Sequence, residues 1–117
     1  MIRRSIGNSR PLNAIGLGCM GMAAFYGKPL DEAEAMNLLH AAVDIGVDHF
    51  DTAEMYANGG AETVAAEAIA GQRDRIFLVS KVLPQHASRR GTIAACEASL
   101  RRWNTDRLDL YLLHWRG

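Results

Sequence analysis

Four residues that can hold or move a proton lie at, or just beyond, the ends of short apolar segments: Asp51, Tyr56, Lys81 and His114. A lysine at the end of a buried strand is costly unless it is paired, and Asp51 supplies the opposite charge. A cation beside a phenol favours its ionised form and so makes the phenol a better proton donor near neutral pH. A neighbouring imidazole can orient a carbonyl oxygen or share the proton. These residue types therefore predict a proton-transfer site.

Each of these residues also has a structural explanation when it is taken alone. Asp51 could cap a turn, with Lys81 as a structural ion partner. Tyr56 could be a rim residue, and His114 could be a structural histidine with satisfied hydrogen bonds. The four together fit one site better than four separate structural roles. The other histidines are interpreted as structural or exposed: His40, His49 and His86.

Apolar strand-like segments alternate with amphipathic helical segments along the chain. Strands are predicted at residues 14–18, 47–51, 76–81 and 108–113. Helices are predicted from the capping-box residue Asp31 to Gly46, over residues 61–70, and from Ser88 or Thr92 to Trp103. Residues 2–7 and 12–16 predict a small hairpin before them. Continuous apolar strands that alternate with helices indicate a parallel sheet covered by helices.

The positions of the polar residues favour one α/β architecture over another. In a barrel, every strand delivers its carboxyl end to one shared mouth, whereas an open doubly wound sheet collects ligands at one switch point. Because chemistry-bearing residues end three successive strands, we expect the N-terminal half of a (β/α)8 TIM barrel. It has four parallel strands and three helices and is preceded by a small β-hairpin. A whole barrel needs roughly 250 residues, so residues 1–117 are expected to form a partial barrel domain with strands one to four only.

Composition excludes several classes of protein. The 13 Lys and Arg balance 13 Asp and Glu, so neither nucleic acid nor an anionic membrane is expected as a partner. The arginine pairs at 89–90 and 101–102 are predicted to lie on solvated helix faces. Cys19 and Cys96 have no metal-type spacing and are interpreted as free thiols in a reducing compartment. With no signal peptide and no apolar run of roughly 20 residues, the expected location is the cytoplasm.

Three segments resemble one family. Residues 51–56 (DTAEMY), with 60–62 (GAE) soon after, resemble the D-T-A-x-x-Y-…-G-x-E signature of aldo-keto reductases. Residues 78–82 resemble the lysine strand of that family, and residues 108–115 resemble the strand that ends in its histidine. The resemblance extends from about Ile6 to the end of the chain. It implies an NADPH-dependent reductase of aldehydes or ketones on a (β/α)8 barrel.

The resemblance also implies a role for each residue of the site. Tyr56 would be the general acid, and Lys81 would assist its proton release. Asp51 would hold Lys81, and His114 would orient the substrate carbonyl. Hydride would pass from the nicotinamide C4 to the carbonyl carbon. Trp115, with Tyr56 and His114, would contact the substrate.

Cofactor contacts are implied near the first strand, at Gly18, Cys19, Met20 and Asp51, and no metal is implied. From residue 54 onward the chain looks most like the diketo-gluconate and methylglyoxal reductase branch. The loop of residues 17–27 looks more like another bacterial branch of the family.

In this family NADPH is held chiefly by the second half of the barrel. The 117 residues are therefore expected to be an incomplete fragment of a reductase that acts on a small carbonyl substrate. The complete protein is expected to be a monomer, and the fragment alone is expected to self-associate. Two alternatives stay open: a catalytically silent nucleotide-binding or regulatory module of the same fold, and a truncated product without function.

Overall fold

The computed structural model describes residues 2–22 and 31–117. A two-stranded antiparallel hairpin comes first, formed by β1 (Arg3–Arg4) and β2 (Leu12–Asn13). A parallel sheet of four strands follows, paired in chain order: β3 (Leu17–Gly18), β4 (His49–Asp51), β5 (Phe77–Val82) and β6 (Leu110–Leu113). The predicted hairpin and the four parallel strands are confirmed. Part of the predicted first loop, residues 23–27, lies outside the described residues.

Three helices connect the parallel strands, as predicted: α1 (Glu32–Asp44), α2 (Gly60–Ala68) and α3 (Arg89–Trp103). Short 3-10 helices occupy Met20–Met22, Tyr56–Gly59, Arg73–Arg75 and Pro84–His86. β3 is shorter than predicted because only two of its residues pair with β4, Leu17 with Phe50 and Gly18 with Asp51.

The helix boundaries follow the capping residues. Asp31 accepts a hydrogen bond from the Glu34 amide at 2.8 Å, and the Glu34 carboxylate accepts one from the Asp31 amide at 3.1 Å. This reciprocal pair is the predicted capping box. Ser88, rather than Thr92, caps α3. Asn104 ends α3 in the left-handed conformation, with φ 51°, which an asparagine adopts more readily than most residues.

The two faces of the sheet pack against different partners. Phe50 and Leu78 belong to the large core beneath the helices. Phe77 and Val79 face the other way and pack with Leu12 of the hairpin. Because side chains alternate along a strand, Asp51 of β4 and Lys81 of β5 share the Phe77 face. The hairpin thus covers one end of this face, and the predicted site lies at the other. Among the described helices, none is long and apolar enough to cross a membrane.

Candidate active site

An ion pair between Lys81 and Asp51 forms the centre of the site. The Lys81 ammonium donates a hydrogen bond to Asp51 Oδ1 and a second, at 2.7 Å, to the Thr52 carbonyl oxygen. The Lys81 side chain is only 14% exposed, whereas that of Asp51 is 47% exposed. An ammonium withdrawn from water to this degree needs an anionic partner. The strand-end pairing expected from the sequence is therefore present in the structure.

Tyr56 brings its ring beside this ion pair. It is buried and begins the 3-10 helix that follows β4. The Lys81 ammonium lies 5.4 Å from the centroid of the phenol ring, which is within the range of direct electrostatic interaction. Ala57 and Asn58, which come next, are left-handed, with φ of 51° each. This tight turn redirects the chain from Tyr56 into α2.

His114 and Trp115 complete the aromatic side of the site. The His114 ring lies edge-on to Tyr56, with 5.7 Å between ring centroids and an interplanar angle of 82°. Trp115 stacks its edge against His114 at 4.8 Å and is 47% exposed. The His114 amide donates to the Val82 carbonyl at 2.9 Å, which continues the ladder from β6. The structure therefore brings all four sequence-predicted catalytic residues to one end of the sheet.

The surroundings of His114 favour its neutral form. Burial, and then the charge of Lys81, lower the pKa of its imidazole. Its Nδ1 is buried and has no hydrogen-bond partner among the described residues. A neutral imidazole carries one N–H donor and one acceptor nitrogen. Its single N–H can therefore donate a hydrogen bond to a carbonyl oxygen while the ring stays uncharged.

The residues predicted to contact a cofactor lie along the adjoining strand end. The Cys19 amide donates to the Asp51 carbonyl at 2.9 Å, which continues the β3–β4 pairing. Burial, and then the Asp51 carboxylate, raise the pKa of the Cys19 thiol to about 12, so this thiol stays protonated. Gly18 is exposed, and no described atom lies within 4 Å of the position that a Cβ would take. Met20 is half-buried and begins the next 3-10 helix. Contact between these residues and a cofactor remains a prediction.

A buried polar cluster behind the site was not predicted from the sequence. Glu62 of α2 is fully buried and accepts hydrogen bonds from the Ser80 hydroxyl at 2.5 Å and from Arg102 Nε at 2.5 Å. The prediction that Arg102 lies on a solvated helix face is wrong, because its side chain is only 28% exposed and pairs with this carboxylate. The available signal was helical spacing. Glu62 precedes the buried Ala65 by three residues and the buried Ile69 by seven, on one stripe of α2.

The remaining histidines lie away from the four predicted catalytic residues. His40 is exposed, and His49 packs edge-on against Phe77. His86 is also exposed and pairs with Glu54 at 2.5 Å. Within residues 2–22 and 31–117, no three potential metal ligands of the His, Cys, Asp and Glu types converge.

A groove of about 560 Å³ lies on the outer surface, between the loop after β4 and the first half of α3. Its polar lining includes Glu54, His86 and Arg102, and its floor includes three alanines of α3: Ala94, Ala95 and Ala98. None of the four predicted catalytic residues lines it. The chemistry-bearing residues therefore lie on an open face of the sheet rather than in this groove.

Known proteins share much of this sequence. The sequence model of the Aldo/keto reductase family matches residues 14–117. The chain is 52% identical over 106 residues to methylglyoxal reductase YeaE of Escherichia coli (strain K12), in a match that covers 91% of this chain and 36% of that protein. It is 34% identical over 111 residues to aldo-keto reductase YhdN of Bacillus subtilis (strain 168), covering 86% of this chain and 34% of that protein.

Solved structures share this fold. A crystal structure of an aldo-keto reductase from Klebsiella pneumoniae in complex with NADPH superposes with a TM-score of 0.84 and 47% identity, over 100% of this chain and 41% of that one. The chain thus spans about a third of the length of the curated relatives it matches. The match to the family extends over most of the chain, and the predicted resemblance is confirmed. The chain belongs to the aldo/keto reductase family.

Proposed function

We propose that this site donates the proton in the NADPH-dependent reduction of an aldehyde or ketone to an alcohol. The observation that carries the proposal is the position of the Lys81 ammonium, 5.4 Å from the Tyr56 ring and paired with Asp51. A buried cation beside a phenol favours departure of the phenolic proton. Tyr56 is accordingly the general acid, and Lys81 is the cation that assists it.

The substrate oxygen is placed by two donors on the same side of the site. The neutral His114 imidazole donates a hydrogen bond to the carbonyl oxygen, and the Tyr56 hydroxyl approaches the same oxygen. A nicotinamide cofactor held beside Gly18, Cys19, Met20 and Asp51 would supply the hydride that reduces the carbonyl carbon. As negative charge grows on the oxygen, Tyr56 transfers its proton there, and the alcohol forms. The phenolate left on Tyr56 is balanced by Lys81 until a proton from solvent restores it.

The strand ends fit a nicotinamide ring and its ribose. Asp51 is bound to Lys81 through one carboxylate oxygen and remains 47% exposed, so it can accept a further hydrogen bond from a ligand. The open space at Gly18 allows a flat ring to approach the backbone. Gly18, Cys19, Met20 and Asp51 would therefore lie against the cofactor. The groups that grip its phosphates would come from further segments of a longer polypeptide.

We propose small aldehydes and dicarbonyl compounds as the substrate class. The relative that is 52% identical is named a methylglyoxal reductase. Trp115 is exposed beside His114 and would form one wall for such a substrate, next to Tyr56. A cytoplasmic location stays a prediction from the sequence.

The test is a chimera in which this chain replaces the matching third of YeaE, assayed for NADPH oxidation with methylglyoxal. Tyr56→Phe in the chimera should lower kcat by about 10²- to 10⁴-fold, the usual contribution of a general acid. Cofactor binding, followed by NADPH fluorescence, should change by no more than about twofold, because the phenol lies away from the phosphate-binding groups.

Tyr111→Phe is the matched control. Tyr111 pairs in register with Ser80, so its side chain lies on the helix side of the sheet. Activity should stay close to that of the unmodified chimera in this variant. If Tyr56→Phe turned over methylglyoxal as fast as Tyr111→Phe, Tyr56 would not be the acid. An inactive chimera that folds and binds NADPH would instead support the catalytically silent module.

The 117-residue chain alone is expected to bind NADPH weakly and to reduce no carbonyl. Size-exclusion chromatography combined with NADPH titration tests this. A monodisperse monomer that binds NADPH at micromolar concentration and oxidises it with methylglyoxal would contradict the need for further segments.

A further inference from the structure

The inference concerns the buried polar cluster behind the active site, and it rests on the proposed function. Two pairs of adjacent residues lie at or near the carboxyl ends of β4 and β5: Asp51 with Thr52, and Ser80 with Lys81. Because side chains alternate along a strand, the charged member of each pair faces the site. Thr52 and Ser80 face the helices and are fully buried.

The hydroxyl groups of Thr52 and Ser80 connect the two strands. Thr52 Oγ1 donates to the Val79 carbonyl at 3.3 Å and reaches the Ser80 hydroxyl at 3.5 Å. Ser80 in turn donates to Glu62 Oε1 at 2.5 Å, and Arg102 holds the other carboxylate oxygen. A continuous series of polar contacts therefore runs from α3 through α2 to the residue beside Asp51.

Thr52 connects this series to the site. Its carbonyl oxygen accepts a hydrogen bond from the Lys81 ammonium at 2.7 Å, and its amide donates to Val79 O at 2.8 Å. The position of the Thr52 backbone thus helps to decide where the ammonium can lie. Asp51 alone is a weaker guide, because its side chain is half-exposed and its contacts are screened by water.

We infer that Glu62, Ser80 and Arg102 are positioning residues, which act through Thr52 to hold the Lys81 ammonium beside Tyr56. A buried ion pair contributes little net stability compared with apolar residues of the same volume. The Glu62–Arg102 pair lies behind the two strand ends that carry the ion pair of Lys81 and Asp51. This placement fits a geometric role better than a contribution to stability. The contrasting role is purely structural: the cluster would then fasten α2 and α3 to the sheet without influence on Lys81.

Four titratable or charged groups surround Lys81 in this geometry, from the carboxyl ends of β3, β4 and β6: Cys19, Asp51, Tyr56 and His114. None of them is bonded to Ser80 or Glu62 in the described part of the chain. A change at Ser80 can therefore reach the site only by moving the strand ends or the Thr52 peptide.

The first experiment measures hydrogen exchange of the Lys81 ammonium by NMR in the full 117-residue chain. Ser80→Ala should speed exchange by about fivefold or more, because the hydrogen bond from Lys81 to the displaced Thr52 carbonyl is then lost. Ser99→Ala is the matched control, because Ser99 is also fully buried and accepts from Arg102 Nη2 at 3.1 Å, one bond further from the strands. Its loss should leave the exchange of Lys81 unchanged. Equal exchange rates in the two variants would overturn the inference.

A second pair of variants separates the effect of the Thr52 hydroxyl from the effect of its packing. Thr52→Val keeps the shape of the side chain and removes its hydroxyl, and Thr52→Ser keeps the hydroxyl. We expect Thr52→Val to behave like Ser80→Ala, and Thr52→Ser to restore slow exchange. If Lys81 exchanged as slowly in Thr52→Val as in Thr52→Ser while both variants stayed folded by circular dichroism, Thr52 would not transmit the position of the cluster to Lys81.

The second experiment uses the active chimera with YeaE. Ser80→Ala should lower kcat by about tenfold with KM nearly unchanged, since a misplaced catalytic group is costly in rate. It should also move the alkaline limb of the kcat/KM profile to higher pH, whereas Ser99→Ala should move neither. If the unmodified chimera is inactive while the exchange results hold, the proposed function fails and the positioning role stands. If the chimera is active but Ser80→Ala matches Ser99→Ala, the positioning role fails alone.

Discussion

Gly59→Ala should destabilise the protein more than its backbone geometry explains. Gly59 has a φ of 89°, and a Cβ at this position would lie 2.6 Å from both Cδ and Nε of Arg102. Arg102 cannot move freely, because its Nε is the donor to the fully buried Glu62. The substitution therefore forces a choice between a steric overlap and loss of the ion pair.

The expected magnitude has two parts. A left-handed alanine costs about 1–2 kcal/mol in place of glycine. Gly71 has a φ of 79° and no described atom within 4 Å of its Cβ position. Gly71→Ala therefore measures the backbone cost without a steric overlap. Loss of one partner of a buried ion pair costs about 3–5 kcal/mol. Because Arg102 is 28% exposed and can relax toward solvent, we expect Gly59→Ala to exceed Gly71→Ala by about 2–3 kcal/mol of unfolding free energy.

Urea unfolding of both variants measures this difference. A double-mutant cycle identifies its source: in an Arg102→Ala background the overlap is gone, so Gly59→Ala should then cost only its backbone part. Equal losses for Gly59→Ala and Gly71→Ala would refute the reasoning. So would an excess that persists without the arginine, because the overlap with Arg102 would then not be its cause.

Three further predictions concern single groups. Burial and Lys81 lower the pKa of His114 from its ordinary 6.5, so between that lowered pKa and 6.5 the unfolded chain binds more protons than the folded one. The unfolding free energy should therefore fall as the pH drops through this window. In urea titrations at several pH values, His114→Gln should make this dependence on pH weaker. Cys96 is half-buried, whereas Cys19 is fully buried with a pKa of about 12, so a disulfide reagent should label Cys96 first, and equal rates would contradict the burial. The Tyr111 hydroxyl is buried without a hydrogen-bond partner in the described residues, so Tyr111→Phe should leave the unfolding free energy unchanged or raise it by up to about 1 kcal/mol; a clear loss would show that the hydroxyl is bonded.

Much of the site could be predicted because it depends on local rules. Alternation along β4 and β5 places Asp51 and Lys81 on one face, and parallel strands bring their carboxyl ends to one edge. His114 follows from the same rule applied to β6. The capping box at Asp31 needed only residues three apart. In each case the relevant spacing is short enough to be visible in the chain itself.

Tyr56 was predicted to join the site from its motif, but its route there was not. The two residues directly after it, Ala57 and Asn58, are left-handed; an asparagine adopts this conformation more readily than most residues, but an alanine gives no local signal for it. The cost of such a turn is offset by packing of the Tyr56 ring against neighbouring elements.

Arg102 shows most clearly where sequence reasoning stopped. Two adjacent arginines on an amphipathic helix look alike in the sequence, yet Arg101 is exposed and Arg102 reaches the buried Glu62, 40 residues earlier. Nothing in the local pattern of α3 distinguishes them. Only the packing of α2 against α3 decides which arginine faces a carboxylate.

The sequence by itself determined the order of strands and helices, the face on which each strand-end residue lies, and the family to which the chain belongs. These properties follow from periodicity and short motifs. Only the tertiary structure decided the distance from Lys81 to Tyr56, the neutral state of His114 and the connection of Glu62 to both strand ends. Distances and burial arise where separate elements pack, because a contact between elements depends on both partners and on the space that the surrounding side chains leave between them.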